Sequence, residues 1–185
     1  MTKVNTLALT LANLKTKPAL VVTDSQVFKE VSGIVAQDIL LTSFSIIYAR
    51  FKGDLAEMVS GTYAINSLAD GDKILIAEAC SHHPVEDDIG RVKLPRWLLD
   101  YTKRKLEIKV VAGYDYPDDL SAYKLIIHCG GCVYNRQELL SRIEKARQAG
   151  VPITNYGLAI AFLHGILEQA LKPFERELSP IKRNG

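Results

Sequence analysis

Two stretches of this chain are almost uniformly apolar for the length of one strand and no longer. They are Lys73-Ile74-Leu75-Ile76-Ala77 and Tyr123-Lys124-Leu125-Ile126-Ile127. A strand without polar alternation is covered on both faces, as in parallel sheets flanked by helices. Further candidate strands are Ala19–Val22, Ile39–Thr42, Leu106–Ala112 and Val151–Thr154. Helical periodicity lies between them. It covers Ser25–Val35, Phe44–Leu68 as one long helix or as two with the break near Gly61, and Arg96–Lys103 around Trp97. A helix opens at Asn135, with Glu138 as its capping-box partner, and stops at Gly150. Leu158–Leu171 is apolar on most faces and reads as one buried helix. Residues 81–95, with Pro84, Gly90 and Pro95, read as a loop, and the polar tail from Lys172 as frayed. Strands separated by helices predict an α/β protein of two small domains with mainly parallel sheets. The turn-rich seam Ala69-Asp70-Gly71-Asp72 divides them into residues 1–68 and 69–185.

In open α/β sheets, ligands bind beyond the carboxyl ends of the strands. Both apolar strands run directly into cysteine. The first reaches Cys80-Ser81-His82-His83, the second His128-Cys129-Gly130-Gly131-Cys132. These windows hold all three cysteines and three of the four histidines of the chain. If the two strands are parallel neighbours, the windows meet at one rim. Thiolates and imidazoles are the soft ligands of iron–sulfur clusters and zinc. Three thiolates suit a 4Fe–4S cluster whose fourth iron takes something else. His82, His83, His128, Glu86, Asp87 and Asp88 are the nearby candidates. For the acidic run Glu86-Asp87-Asp88 the plainer reading is a solvated loop, and His164 reads as a packing or surface residue.

Other chemistries use the same residues. A site of three Cys and one His would hold zinc and stabilise an interaction module. Cys129-Gly-Gly-Cys132 between a strand and a helix also suits a thiol–disulfide oxidoreductase, which leaves Cys80 without a part. No phosphate loop, Gly-x-Ser-x-Gly or Gly-x-Gly-x-x-Gly sequence occurs, and Asp87-Asp88-Ile89-Gly90 is too short a match to a nucleotide motif to carry weight.

The rest of the 185-residue sequence narrows the class. It is 48% hydrophobic and 24% charged with a formal net charge of +2. That balance gives no argument for nucleic acid or a membrane surface. No apolar run approaches the roughly 20 residues that span a bilayer. An odd number of cysteines and a start without an apolar leader-like core predict a reducing, cytoplasmic setting.

Cys80-x-His82, a gap of 45 residues and then His128-Cys129-x-x-Cys132 resembles the cluster motif of HydF, the FeFe-hydrogenase maturation GTPase and scaffold family. LVVTDSQVFKEV, LTSFSIIYARFKGDL, DGDKILIAEACSHHP, DIGRVKLPRWL, KLIIHCGGCVYNR and AGVPITNYGLAIA resemble it too, so the likeness spans most of the chain. The resemblance implies a dimerisation domain, here partial because Met1 enters partway through it, and a cluster-binding domain. No counterpart of the family's GTPase domain is present in this sequence, so GTP binding is not carried over. The partial first sheet predicts an exposed edge and weakened self-association. The resemblance further implies that Cys80, Cys129 and Cys132 ligate a 4Fe–4S cluster, with His82 and His128 as the motif's histidines. The implied role is a scaffold and carrier, not an enzyme acting alone. It holds a di-iron precursor of the hydrogenase active site and passes it to the apo-hydrogenase. The implied partners are that hydrogenase, the two radical-SAM maturases and a second copy of the chain.

Overall fold

The computed structural model describes residues 3–79, 88–113 and 115–179. Its strands form two all-parallel sheets. β1 (Leu20–Thr23) pairs with β2 (Leu40–Ser43). β3 (Lys73–Glu78), β4 (Glu107–Ala112), β5 (Leu125–His128) and β6 (Ile153–Asn155) form the larger sheet in the order β4-β3-β5-β6. The α/β class read from the apolar runs is therefore the class observed, with helices flanking parallel sheets.

The uniform apolarity of β3 and β5 has the expected cause. Leu75, Ala77, Ile126 and Ile153 point into one core, and Ile74, Ile76, Leu125 and Ile127 into another on the opposite face. The first core is closed by α2 (Phe28–Ile34), α3 (Phe44–Lys52), α4 (Leu55–Tyr63) and α6 (Arg136–Gln148). It is continuous with the side chains under the small sheet, such as Leu41 and Ile39. The second is closed by α5 (Leu94–Thr102) and α7 (Tyr156–Leu163). α7 contributes to both cores: Leu158 and Ala161 to the first, Tyr156, Ala159 and Ile160 to the second. That is why its sequence is apolar all round.

Four local expectations are corrected. The segment 44–68 breaks at Gly53, not Gly61. Asp54 caps α4 by accepting the Glu57 N–H at 3.0 Å, which starts a new helix there. Gly61 instead sits inside α4, where the helix crosses β6. A Cβ at this position would lie 2.1 Å from the Ile153 carbonyl oxygen. Of the expected loop 81–95, residues 81–87 lie outside the described residues, but from Asp88 onward the chain is helical. Asp88 accepts the N–H groups of Gly90 and Arg91 at 2.9 and 3.0 Å. This cap starts a π-helical turn, Ile89–Lys93, that runs into α5. Pro95 is tolerated because the first turn of a helix needs no donor there.

The expected helix Leu158–Leu171 is two helices. α7 ends in a Schellman turn at Gly165, with Ile166 N–H bonded to Ala161 O at 2.8 Å, and α8 (Leu167–Leu171) follows. The tail also continues in order through α9 (Glu175–Leu178), anchored by the buried Leu178. A helix missed in the sequence, α1 (Val4–Ala12), opens the chain and buries none of its residues.

The α4–β6 crossing leaves no room for a side chain at Gly61. Gly61→Ala is expected to lower the free energy of chemical unfolding by about 2–3 kcal/mol. Ala is the better helix former, so a neutral or stabilised variant would show that the crossing can open without cost.

Candidate metal centre

β3 and β5 are parallel neighbours in a register that sets Ala77 opposite His128. The pairing continues for one more step, because Cys129 N–H donates to Ala77 O at 2.8 Å. The Cys129 side chain then turns back onto the end of β3. Ala79 N–H donates to Cys129 Sγ at 3.0 Å. Such a bond favours a thiolate over a thiol, since the charged sulfur is the stronger acceptor. The ends of both apolar strands thus meet at one rim, as their sequences predict.

Past Cys129 the chain makes a tight loop to α6. Gly130 packs on Ser45, and Gly131 takes a left-handed conformation (φ 65°). Cys132 is exposed, whereas Cys129 is half-buried. Three carbonyls of this loop converge on one ammonium. Lys52 Nζ, at the end of α3, donates to Gly131 O, Cys132 O and Tyr134 O at 3.2, 2.9 and 2.8 Å. Asn135 then caps α6 by accepting the Glu138 N–H at 2.8 Å, as its sequence signature predicts.

His128 lies wholly beneath the loop. Its Nδ1 is 2.9 Å from Cys129 O, and its Nε2 is 3.3 Å from Arg142 Nη1. A guanidinium has only donors, so Nε2 accepts and Nδ1–H donates to the carbonyl. Both ring nitrogens are therefore engaged inside the protein. Burial holds the imidazole pKa down at about 4, the Cys129 carbonyl opposes this, and the Arg142 cation adds to the lowering. The ring is neutral at pH 7.

Arg142 itself is buried, on the face of α6 that also carries Leu139, Ile143 and Ala146. It lies between two aromatic rings, Tyr116 at 4.5 Å and Tyr134 at 4.4 Å from its guanidinium carbon. It donates to Gly113 O at 2.7 Å and to the Tyr134 hydroxyl at 2.5 Å. Burial raises the Tyr116 phenol to about 12, partly offset by this cation. Glu138 stands off at 3.9 Å, so the buried charge is held mainly by dipoles and ring faces.

On the other side of the rim, Glu78 ends β3 almost fully buried. Its Oε2 accepts from Arg91 Nε and Nη2 at 3.2 and 3.0 Å. Asp88 is also buried, as the cap of the π-helical turn. That differs from a solvated acidic loop, and its carboxylate is committed to the backbone. Cys80, His82, His83, Glu86 and Asp87 lie outside the described residues. Among the described residues, no three His, Cys, Asp or Glu side chains converge as a metal site. His164 packs edge-on against Trp97, away from the rim.

Residues 56–173 match the family model of the hydrogen maturase F tetramerization domain. Residues 1–53 match that of the hydrogen maturase F dimerization domain. The chain belongs to the hydrogen maturase F family. Its part is thereby in hydrogenase maturation, through domains that associate with copies of themselves. The first match ends at Gly53, where α3 ends, and Asp54, the cap of α4, falls between the two matches. The hydrogen maturase F dimerization stretch carries Leu9, Leu14, Leu20, Leu40, Phe44 and Phe51 exposed, the kind of apolar surface that association covers. Comparison with curated proteins finds no match. No helix among the described residues is long and apolar enough to cross a membrane.

The donor chemistry fits an iron–sulfur group. One sulfur is fixed by a backbone N–H, and a second cysteine follows in the same loop. Lys52, Arg142 and Glu78 were not singled out from the sequence. Arg142 had a signal, a charge in the apolar stripe of α6, and so did Glu78, a carboxylate ending an apolar strand. Lys52 had none, since only tertiary folding brings it to the rim.

Two substitutions separate the roles of these groups. Arg142→Met is expected to destabilise the protein by about 3–5 kcal/mol in denaturant unfolding, because several buried partners lose their cation. Lys52→Met is expected to change the global unfolding free energy by no more than about 1 kcal/mol while the amides of residues 131–134 exchange faster with deuterium. Unchanged exchange there would mean the ammonium does not hold the loop.

Proposed function

We propose that this chain is an iron–sulfur scaffold and carrier of FeFe-hydrogenase maturation. Cys80, Cys129 and Cys132 are its cluster ligands. The observation that supports this reading best is the Ala79 N–H on Cys129 Sγ, because the residue after Ala79 is Cys80. Cys129 at the end of β5 is thus fixed against Ala79 at the end of β3, Cys80 is the next residue in the sequence, and Cys132 follows Cys129 in its loop.

A 4Fe–4S cluster on three thiolates leaves one iron for an exchangeable ligand. The protein's own part is to hold and orient. The Ala79 N–H biases Cys129 toward the thiolate that binds metal. Lys52 fixes the loop by its carbonyls. His128 is a positioning residue in this reading, since its two nitrogens already bond Cys129 O and Arg142. His82, His83, Glu86 and Asp87 remain as the candidates for the fourth ligand. The cargo is a di-iron precursor of the hydrogenase active site, received with the radical-SAM maturases and delivered to the apo-hydrogenase. The carrier is a homo-oligomer that works in the cytoplasm and has no chemistry of its own to catalyse.

Anaerobic reconstitution with iron and sulfide is expected to give about four irons per chain and an EPR signal on reduction. Cys129→Ser is expected to lose stable iron binding. Uptake of zinc alone would support a zinc-stabilised interaction module instead. Insulin reduction by metal-free protein that survives Cys80→Ala would support an oxidoreductase using Cys129 and Cys132.

A further inference from the structure

Near the carboxyl ends of α4, α5 and α7, Tyr63, Tyr101 and Phe162 line an open cavity of about 520 Å3, together with Leu167 and Glu168 of α8. The rings do not lie flat on one another. Phe162 meets Tyr63 edge-on, with planes at 87° and centroids 5.8 Å apart, and meets Tyr101 at 58° and 5.4 Å. Tyr63 and Tyr101 remain 45% and 44% exposed, a large area for two aromatic side chains. The Tyr63 hydroxyl donates to Glu168 Oε1 at 3.5 Å, and the Tyr101 hydroxyl to Asn66 Oδ1 at 3.1 Å. Both rings are thereby held at their polar ends. Three aromatic rings and a carboxylate around one cavity suit a cation, which the ring quadrupoles and the carboxylate charge both attract.

Cations follow this cavity in the chain. α5 ends one residue after Tyr101, at Thr102. Lys103 takes a left-handed conformation (φ 56°) and returns its N–H to Leu99 O at 2.9 Å. Arg104 and Lys105 come next, and all three residues are exposed. A basic helix end is ordinary by itself, since the macrodipole favours it. Close in sequence to a wall of the cavity, it gives one surface both members of a charge pair. Such a surface is self-complementary about a two-fold axis, which sets the cation of each copy against the cavity of the other. Arginine is the better guest, because a planar guanidinium lies against rings and forks onto a carboxylate.

The cavity and the basic turn both lie in the stretch matched by the tetramerization domain, whereas the exposed leucines and phenylalanines named above lie in the dimerization stretch. Two different two-fold contacts, one in each stretch, close four chains into a finite assembly. We propose that the Tyr63–Tyr101–Phe162 cavity joins two dimers, with Arg104 of each chain entering the cavity of a second copy and pairing with its Glu168. This rests on the reading of the chain as a homo-oligomer and names the face and the residues that join its dimers. It does not depend on the iron–sulfur reading.

Sedimentation of the 185-residue chain over a dilution series tests this. The wild type is expected to reach a tetramer. Arg104 and Glu168 are exposed, so Arg104→Glu and Glu168→Arg are each expected to keep the wild-type circular dichroism and the dimer. In each, the dimer–dimer dissociation constant should rise on the order of tenfold or more. Arg104→Lys keeps the charge and should fall between wild type and Arg104→Glu. Combining Arg104→Glu with Glu168→Arg restores opposite charges, so the double variant should assemble more tightly than Arg104→Glu alone. Single variants that form tetramers as tightly as the wild type would overturn the inference, and so would a double variant no tighter than Arg104→Glu. A wild type that stops at the dimer would also overturn it, while leaving the homo-oligomer reading intact. A wild type that is only monomeric would remove both.

Discussion

The register of β3 against β5 is the constraint on which the rim depends. Parallel strands covered on both faces cannot slide by one residue without turning buried isoleucines into the wrong core. Leu125 and Ile127 belong to one core and Ile126 to the other, so the register is over-determined. It places His128 opposite Ala77 and carries Cys129 onto the amide of Ala79. The position of one sulfur is thereby specified by hydrophobic packing well away from it. Loops alone would not hold a ligand so firmly, and strand ends are the stiffer support.

A second principle operates beneath the rim, where a cation is buried without a close carboxylate. Arg142 is stabilised by two tyrosine faces, a carbonyl, a hydroxyl and the lone pair of His128. This arrangement fixes the imidazole tautomer, and the tautomer in turn fixes the Cys129 carbonyl. Buried charge here organises geometry, and the neutral histidine transmits it without adding a charge next to the sulfurs.

The α/β class was legible because β3 and β5 are apolar without alternation, a pattern that parallel sheets require. Their neighbourhood, a condition that the sequence left open, is observed. The helix breaks were harder. Gly61 looks like a breaker, yet its lack of a side chain serves the crossing with β6, while the true break comes from the cap at Asp54. Gly90 and Pro95 misled in the same way. The first makes room for Tyr156 and the second sits in a first turn, where both are compatible with helix. At the site, local sequence exposed Cys129, Cys132 and the Asn135 cap. It could not expose Lys52, 80 residues from the carbonyl it shares with Cys132, because that contact exists only after the helices have packed.

That lysine has a thermodynamic consequence. Lys52 lies in the stretch matched by the dimerization domain, and its three acceptors lie in the stretch matched by the tetramerization domain. The orientation of α3 and the shape of the cysteine loop therefore share one set of bonds. Whatever displaces the helix shifts the free energy of the loop, and whatever the loop binds shifts the helix by the same amount. A contact that moves α3 and a contact that moves the loop thus act on the same three bonds.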